Sequence, residues 1–243
     1  YHLNSEHLHL IPGRIDTTLY HQQQEVLPEI PGVGLSGFNH IVVMATRFHP
    51  AKRKWFDALM DAARQTHSQE LSTVFVVAGD GDLMHEIQTK AAEVNGDLGR
   101  DVINLIGPQY QSSTLNGLYN RASVVIGSGR GIMEAMAAAK PVVVMNRSGA
   151  AHLVDQQSVS AVAHTNFSGR HMTDDSPKMS DPEVRGEKLG LVLSRLLASP
   201  ERLCAAGEFS RTYIESHLDY RVGGELLVKA YEAALKTRCH RQQ

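Results

Sequence analysis

Cysteine is scarce in this chain of 243 residues, which has only Cys204 and Cys239. Two cysteines cannot build the disulfide framework of a small secreted domain, so the composition favours a reducing compartment and we expect a cytoplasmic protein. A strong charge of one sign is also missing, because 24 Lys and Arg residues face 26 Asp and Glu residues and leave a formal net charge of −2. The chain as a whole is no polycation, and we expect no nucleic-acid partner.

Long hydrophobic runs are absent as well. The longest pure ones, such as residues 74–78 and 141–145, have the length of a strand, whereas a transmembrane helix needs roughly 20 residues. Residues 1–13 lack the basic start, apolar middle and cleavage site of a signal peptide. Membrane association stays open, although no feature indicates it. The chain begins with Tyr1 rather than methionine, so we expect a fragment of a longer protein.

From residue 39 onward, short apolar runs alternate with amphipathic segments. HIVVMA, STVFVVAG, DVINLIG, SVVIG and PVVVMN each predict a buried strand, and helical periodicity follows the first four. Apolar strands that alternate with helices are typical of a parallel sheet covered on both faces. We therefore predict an α/β, Rossmann-like domain with a parallel sheet of about six strands and helices on both faces. Its ligand should lie outside the carboxyl ends of the strands.

Three regions follow from this pattern. We predict that residues 1–38 are an interdomain linker and the remnant of an N-terminal domain. Residues 39–181 should form the Rossmann-like domain, and residues 182–243 should form C-terminal helices that pack back on it. Apolar stripes run through residues 189–197 and again through 226–235, and both predict a helix face turned to the core. Asp82 is expected to cap the helix after the second strand.

The segment ATRFHPAKRKW breaks a local rule. Pro50 suits the first position of a helix, which places Lys52, Arg53 and Lys54 in the first turn, with Arg47 at the strand exit before it. A helix N-terminus already carries about half a positive charge, so these cations oppose the helix dipole. Either this is a solvated basic patch, or bound phosphate supplies the missing negative charge.

A glycine-rich turn follows the fourth predicted strand in VVIGSGRGIMEAMAAAKPVVV. Gly127, Gly129 and Gly131 would let a ligand approach the backbone, and the helix after them offers free amides to phosphate. A dinucleotide fingerprint would need glycine at position 132, which is Ile132, and an acid after the next strand, where residues 145–147 read Met-Asn-Arg. The pattern therefore argues against a nicotinamide enzyme.

Two further residues have both an ordinary and a functional interpretation. Glu134, which we place in the first turn of that helix, either complements the helix dipole or accepts the hydroxyls of a ribose. Tyr110, at the exit of the third strand, either lines a base pocket or is a half-buried loop residue. His7 and His9, with His2 nearby, alternate in a linker and have no third partner, whereas a structural zinc site needs four ligands, so we predict no metal there.

Five segments in this order resemble a known family. LHLIPGRIDTTLY is similar to its interdomain "IPNGID…F" stretch, RFHPAK to "GR…P-E-K", FVVAGDGDL to "vvGdGp", INLIGPQY to "v.flG.v" and MEAMAAAKPVVV to "lEAmA.GkPVv". The chain thus resembles the C-terminal, donor-binding half of a GT-B glycosyltransferase, in the large retaining family that includes glycogen-synthase-like and mannosyltransferase-like enzymes (glycosyltransferase family 4-like, glycosyl transferases group 1).

This resemblance implies transfer of a hexose from a UDP- or GDP-linked sugar to an acceptor with retention. Arg47 and Lys52 match the pair that contacts the donor diphosphate, where they would stabilise the leaving group as catalytic residues. We recognise no metal-binding Asp-x-Asp motif, so the resemblance implies a metal-independent site without a cofactor. The expected nucleotide-sugar contacts are Gly107, Tyr110, Gly127, Ser128, Gly129, Arg130, Gly131, Ile132, Met133 and Glu134.

The acceptor site in this family belongs to an N-terminal domain, which would be the partner of this chain, so the chain alone should turn over poorly or not at all. Two positions depart from the pattern: Ile126 replaces the first of two glutamates that have seven residues between them, and Ala139 replaces a glycine. Two rival interpretations remain. One is a degenerate nucleotide-binding scaffold without turnover, and the other is a UDP-sugar epimerase.

Overall fold

The structure is a computed structural model that describes residues 11–23, 29–30, 32–170 and 186–240, with side chains described up to residue 235. A seven-stranded sheet in the order β3-β2-β1-β4-β5-β6-β7 forms its centre. β1 to β5 are parallel, while β6 and β7 are antiparallel additions at one edge. The strands are β1 His40–Ala45, β2 Thr73–Ala78, β3 Ile103–Leu105, β4 Val124–Gly127, β5 Val142–Met145, β6 Ala150–Leu153 and β7 Glu187–Lys188.

Helices cover both faces of this sheet, as the continuous apolar strands predict. Along β2, Val74 and Val76 point into one core and Phe75 and Val77 into the other, because successive side chains of a strand alternate between faces. The helices are α1 Arg53–Ser68, α2 Met84–Leu98, α3 Ser112–Arg121, α4 Arg130–Ala137, α5 Val159–His164, α6 Leu189–Leu197, α7 Pro200–Tyr213 and α8 Tyr220–His240, with a π-helical turn at Ile214–Leu218 before α8.

The α/β, Rossmann-like prediction is confirmed, with one refinement of the strand count. The chain runs from β1 outward to β2 and β3 and then returns to place β4 on the other side of β1. A ligand crevice forms at such a reversal, outside the carboxyl ends of the strands on either side of it. The sheet has seven strands rather than about six, since AAHL and a two-residue edge strand show too little apolar patterning to predict them.

Residues 11–23 pack against the C-terminal end of the domain. Ile15 is fully buried, its amide donates to the Leu218 carbonyl, and its carbonyl accepts from the Tyr220 amide. Thr17 donates to the Asp219 carboxylate. The division into a linker, a Rossmann-like domain and C-terminal helices stays a prediction, and residues 171–185 at its second boundary lie outside the described part.

Two local predictions are wrong. Asp82 is exposed and does not cap α2, whose N-cap is Leu83 and has no capping side chain. The stripe in α6 is buried, but Leu227, Tyr231 and Leu235 of α8 expose 43%, 63% and 63% of their surface. No described helix is long and apolar enough to cross a membrane.

Candidate functional site

A cavity of about 630 Å³ lies at the carboxyl ends of the central strands. We call it the first cavity. The loops after β1, β2 and β3 and the start of α4 line it, so it occupies the crevice that the strand order creates. Its lining includes Thr46, Arg47, Gly79, Asp80, Gly81, Pro108, Gln109, Tyr110, Tyr119, Arg130, Gly131 and Glu134.

A second cavity of about 650 Å³ lies beside it. The glycine-rich turn after β4 contributes to both, since Ser128 lines the second cavity and Arg130 and Gly131 line the first. The residues around the second cavity are Ala51, Lys52, Trp55, Ser128, Arg147, Ser168, Gly169 and Arg170.

The turn itself depends on glycine. Gly129 has φ +67° and ψ −138°, a conformation that other residues rarely adopt, and its amide donates to the Phe167 carbonyl at 2.6 Å. Gly127 ends β4 with φ +154°. In the described part of the chain the amides of Arg130 and Gly131 have no hydrogen-bond partner, so the first turn of α4 has free donors.

Ile132 and Met133 were expected to contact the nucleotide sugar, but neither their side chains nor their amides are free to do so. Their side chains are 1% and 3% exposed and belong to the core. Their amides donate to the Gly129 carbonyl at 3.1 and 3.4 Å. The unpartnered amides of this helix therefore lie one to two residues earlier than the sequence suggested.

The basic segment before α1 divides between two surroundings. Arg47 is exposed and lines the first cavity. Lys52 bends back to donate to Thr46 Oγ1 and lies 4.8 Å from the centre of the Trp55 ring, and burial lowers the pKa of its ammonium. Arg53 instead turns to α2, where its Nε is 3.0 Å from the Glu86 carboxylate. Arg53, one member of the predicted cation cluster, therefore pairs with an acidic residue and lines neither cavity.

Glu134 lies on the buried wall of the first cavity with 5% of its surface exposed. It is in the second turn of α4 and not the first, so the interpretation as a dipole-complementing acid is wrong. Arg130 Nε donates to its Oε1 at 2.8 Å, and the Tyr119 hydroxyl lies 3.5 Å from its Oε2.

Tyr119 is a site residue that the motifs missed. It is fully buried, and burial raises the pKa of its hydroxyl well above the ordinary value, so it remains a donor at neutral pH. A Cβ added to Gly131 would lie 3.3 Å from this hydroxyl, which places it directly beneath the glycine-rich turn. The available signal was an aromatic residue on the apolar face of α3, one turn beyond Leu115.

The loops after β2 and β3 close the opposite side of the first cavity. A Cβ at Gly79 would overlap the Thr46 carbonyl, so only glycine permits this close approach. The Gly79 amide donates to the carbonyl of Gly107 at 2.9 Å, which joins the two loops. Tyr110 is at the rim with 85% of its surface exposed, and its hydroxyl lies 3.5 Å from Asp80 Oδ2.

Comparison with known sequences assigns the chain to a protein family. The family model described as "Glycosyl transferases group 1" matches residues 39–168, which is more than half of the chain. The match includes the glycine-rich turn that contributes to both cavities. The chain belongs to this family. No curated protein sequence matches it significantly.

Solved structures with the same fold are GT-B glycosyltransferases. The C-terminal domain of the group 1 family protein LpcC from Francisella tularensis is 15% identical with a TM-score of 0.57, over 84% of this chain and 98% of that domain. HepE from Anabaena, in complex with UDP and glucose, is 14% identical with a TM-score of 0.57 over 90% of this chain. The pneumococcal O-GlcNAc transferase GtfA, in complex with UDP and GlcNAc, is 16% identical with a TM-score of 0.54 over 91%.

This glycosyltransferase chain spans 55% of HepE and 39% of GtfA. Within it, Ile126 is 1% exposed and packs in the core, so no carboxylate occupies the position of the first family glutamate. The described residues contain no group of three or more His, Cys, Asp or Glu that could hold a metal ion. Asp80 and Asp82 do have Asp-x-Asp spacing after β2, although only Asp80 lines the first cavity. His2, His7 and His9 lie outside the described residues.

Proposed function

We propose that this chain is the donor-binding half of a retaining, family 4-like glycosyltransferase, which binds a nucleoside diphosphate sugar in the first cavity. One observation carries the proposal. The free amides of the α4 N-terminus, the exposed Arg47 and the buried carboxylate of Glu134 converge on one cavity at the reversal of strand order. Cations and free amides suit a diphosphate, and a buried carboxylate suits the hydroxyls of a ribose.

The chemistry assigned to this chain is stabilisation of the leaving group. Departure of a nucleoside diphosphate builds negative charge on its phosphates. Arg47, the Lys52 ammonium and the amides of the glycine-rich turn would stabilise that charge, and Glu134 would hold the ribose. Lys52 suits this task because Thr46, which lines the first cavity, accepts its hydrogen bond and holds it between the two cavities. The acceptor site and part of the contacts to the transferred hexose are assigned to a further N-terminal domain.

A titration tests this assignment. We expect calorimetry with UDP, GDP, ADP and NAD to show binding of one nucleoside diphosphate, and the UDP bound in the HepE and GtfA structures supports UDP. Arg47→Ala/Lys52→Ala should raise the dissociation constant about 100-fold, the effect of two charge-assisted hydrogen bonds of about 1.5 kcal/mol each.

The matched control is Arg53→Ala/Arg64→Ala. It removes two cations of α1 that form ion pairs with Glu86 and Asp97 on α2. Its dissociation constant should change less than about threefold, because exposed pairs contribute little. Equal losses in both double variants, or no nucleotide binding at all, would contradict the proposal.

A second candidate function has one observation in its favour. Because Ile126 is buried where the family has its first glutamate, the site lacks one expected contact to the sugar. A nucleotide-binding module without turnover would show such a loss. Release of nucleoside diphosphate from the donor by the complete protein, in the presence of an acceptor, would rule it out.

A further inference from the structure

The second cavity concentrates positive charge. Lys52, Arg147 and Arg170 line it from three separate parts of the chain, and none of the described residues around it is acidic. In the described part of the chain, none of these three cations has a carboxylate within ion-pair distance. Grouped like charges repel one another, so a cluster without acids is a candidate for an anionic ligand.

Backbone contacts fix the position of Arg147. It follows Asn146, whose carbonyl accepts the Trp55 indole Nε1 at 2.5 Å from the start of α1. The Asn146 side-chain oxygen accepts from the amides of Ser148 and Ala150 at 2.9 and 3.0 Å and closes the turn. A turn held at both ends fixes the backbone from which the exposed Arg147 side chain lines the cavity.

The opposite wall is equally well fixed. The Phe167 carbonyl holds the Gly129 amide, and Gly169, at φ +76°, lies so close to β5 that an added Cβ would overlap the Met145 carbonyl. Between them, Ser168 Oγ is buried and has no hydrogen-bond partner among the described residues. A buried hydroxyl without a partner destabilises the folded state, so a ligand that accepts a hydrogen bond from it would be favoured.

The second cavity adjoins the donor site through two links. Lys52 lines it and donates to Thr46 of the first cavity, and Ser128 lines it within the turn whose next residues line the first cavity. A diphosphate on that turn would therefore have the nucleoside on one side and the second cavity on the other. The group attached to the distal phosphate is the sugar.

We propose that the second cavity binds a carboxylate on the donor sugar, so that the substrate class is a nucleoside diphosphate uronic acid. This inference rests on the proposed function of the first cavity. Arg147 and Arg170 supply the guanidinium groups, which match a planar carboxylate, and Ser168 Oγ supplies a further donor. A neutral hexose would leave these cations without counter-charge.

The test compares UDP, UDP-glucose and UDP-glucuronate by calorimetric titration of the chain. We expect UDP-glucuronate to bind at least about tenfold more tightly than UDP-glucose, since tenfold corresponds to one charge-assisted hydrogen bond. Arg147→Gln/Arg170→Gln should reduce that preference to less than about twofold and leave the affinity for UDP unchanged. Raised NaCl should weaken the preference, because exposed arginines are screened.

The control is Arg64→Gln/Arg195→Gln, which removes two arginines paired on the surface with Asp97 and Glu187 and should keep the preference. Equal affinity for the two sugars overturns the inference, and so does an equal loss for UDP and both sugars in Arg147→Gln/Arg170→Gln, which would place these arginines on the diphosphate. Inorganic phosphate that binds the UDP complex through the same arginines, without any uronic-acid preference, assigns the cavity to a free anion and also overturns it. If neither UDP nor GDP binds, the proposed function and this inference both fail.

Discussion

At the scale of single residues, Ala139 departs from the family pattern and also has a strained backbone. The family pattern has glycine there, and Ala139 adopts φ +58°, a left-handed conformation that costs a residue with a Cβ about 1–2 kcal/mol. We expect Ala139→Gly to raise the free energy of unfolding by about 0.5–1 kcal/mol, since greater freedom of the unfolded chain offsets part of the gain. Urea unfolding followed by fluorescence of the single tryptophan, Trp55, measures it.

The matched substitution is Ala92→Gly in the exposed, helical part of α2. It should lower stability by about 1 kcal/mol, because glycine is a poor helix former where φ is negative. Opposite signs at the two alanines are the expected result. The same sign at both would show that Ala139 is unstrained.

Tyr119 is the residue whose role in the site the structure adds to the sequence analysis. Its hydroxyl lies beside the Glu134 carboxylate and beneath Gly131. We expect Tyr119→Phe to weaken nucleoside diphosphate binding about fivefold, the effect of about 1 kcal/mol from one lost donor to a buried carboxylate. The measurement is the dissociation constant for UDP together with the thermal midpoint.

Tyr231→Phe on the exposed face of α8 provides the control and should change neither quantity. If Tyr119→Phe lowers only the thermal midpoint and leaves nucleotide affinity intact, its hydroxyl supports packing and has no part in positioning Glu134.

Residue-level motifs predicted one part of the site and missed another for a physical reason. Arg47, Gly131 and Glu134 were predicted from sequence and all line the first cavity, because each lies within two turns of a strand exit. Arg147 and Arg170 carry no local pattern. They meet Lys52 only through the packing of α1 and the segment after α5 on the end of β5, which is a tertiary relation that spacing cannot reveal.

At the scale of elements, two similar apolar stripes have different surroundings. The stripe of α6 packs against α1 with Leu193 and Leu196 almost fully buried, whereas the α8 stripe is exposed. Periodicity indicates that a helix has an apolar face, but it does not identify the surface that covers it. The five parallel strands were predictable because each lies in a short apolar run, whereas the antiparallel strands β6 and β7 lack such a run and were not predicted.

The junction between residues 11–23 and α8 depends on a charged group. Burial by itself raises the pKa of Asp219, but hydrogen bonds from Thr17 and Arg221 outweigh it and lower the pKa from 3.8 to about 2. A lowered pKa in the folded state stabilises the protein above pH 3.8, and this contribution is lost as the pH falls towards 2. We expect Asp219→Asn to be about 1–2 kcal/mol less stable at neutral pH and to lose less stability over that acid range.

Urea unfolding at a series of pH values tests this prediction. Asp97→Asn is the control, since Asp97 forms an exposed pair with Arg64 and should contribute under about 0.5 kcal/mol. Parallel pH profiles for the native chain and Asp219→Asn would show that the junction does not hold the ionised form.

At the scale of the whole molecule, the site exists because of topology more than because of any single motif. β1 and β4 lie side by side although two strand–helix units separate them in sequence, which brings the basic segment after β1 to the glycine-rich turn after β4. The α/β pattern allowed this neighbourhood to be predicted. The split into two cavities could not be predicted, because it depends on tertiary contacts such as the hydrogen bond from Lys52 to Thr46, which the strand and helix pattern does not reveal.

Ligand linkage provides a test at this scale of metal-independent binding by the intact fold. Nucleoside diphosphate at 100 times its dissociation constant should stabilise the chain by about 2.7 kcal/mol and raise its thermal midpoint by roughly 5–10 °C. The shift should be the same with EDTA and with Mg²⁺. Two carboxylates of the described residues line the first cavity, and Glu134 is already paired with Arg130, so a metal ion would have Asp80 alone as its carboxylate ligand. A smaller shift in EDTA, restored by Mg²⁺ and lost in Asp80→Asn, would instead assign Asp80 as a metal ligand and reverse the prediction.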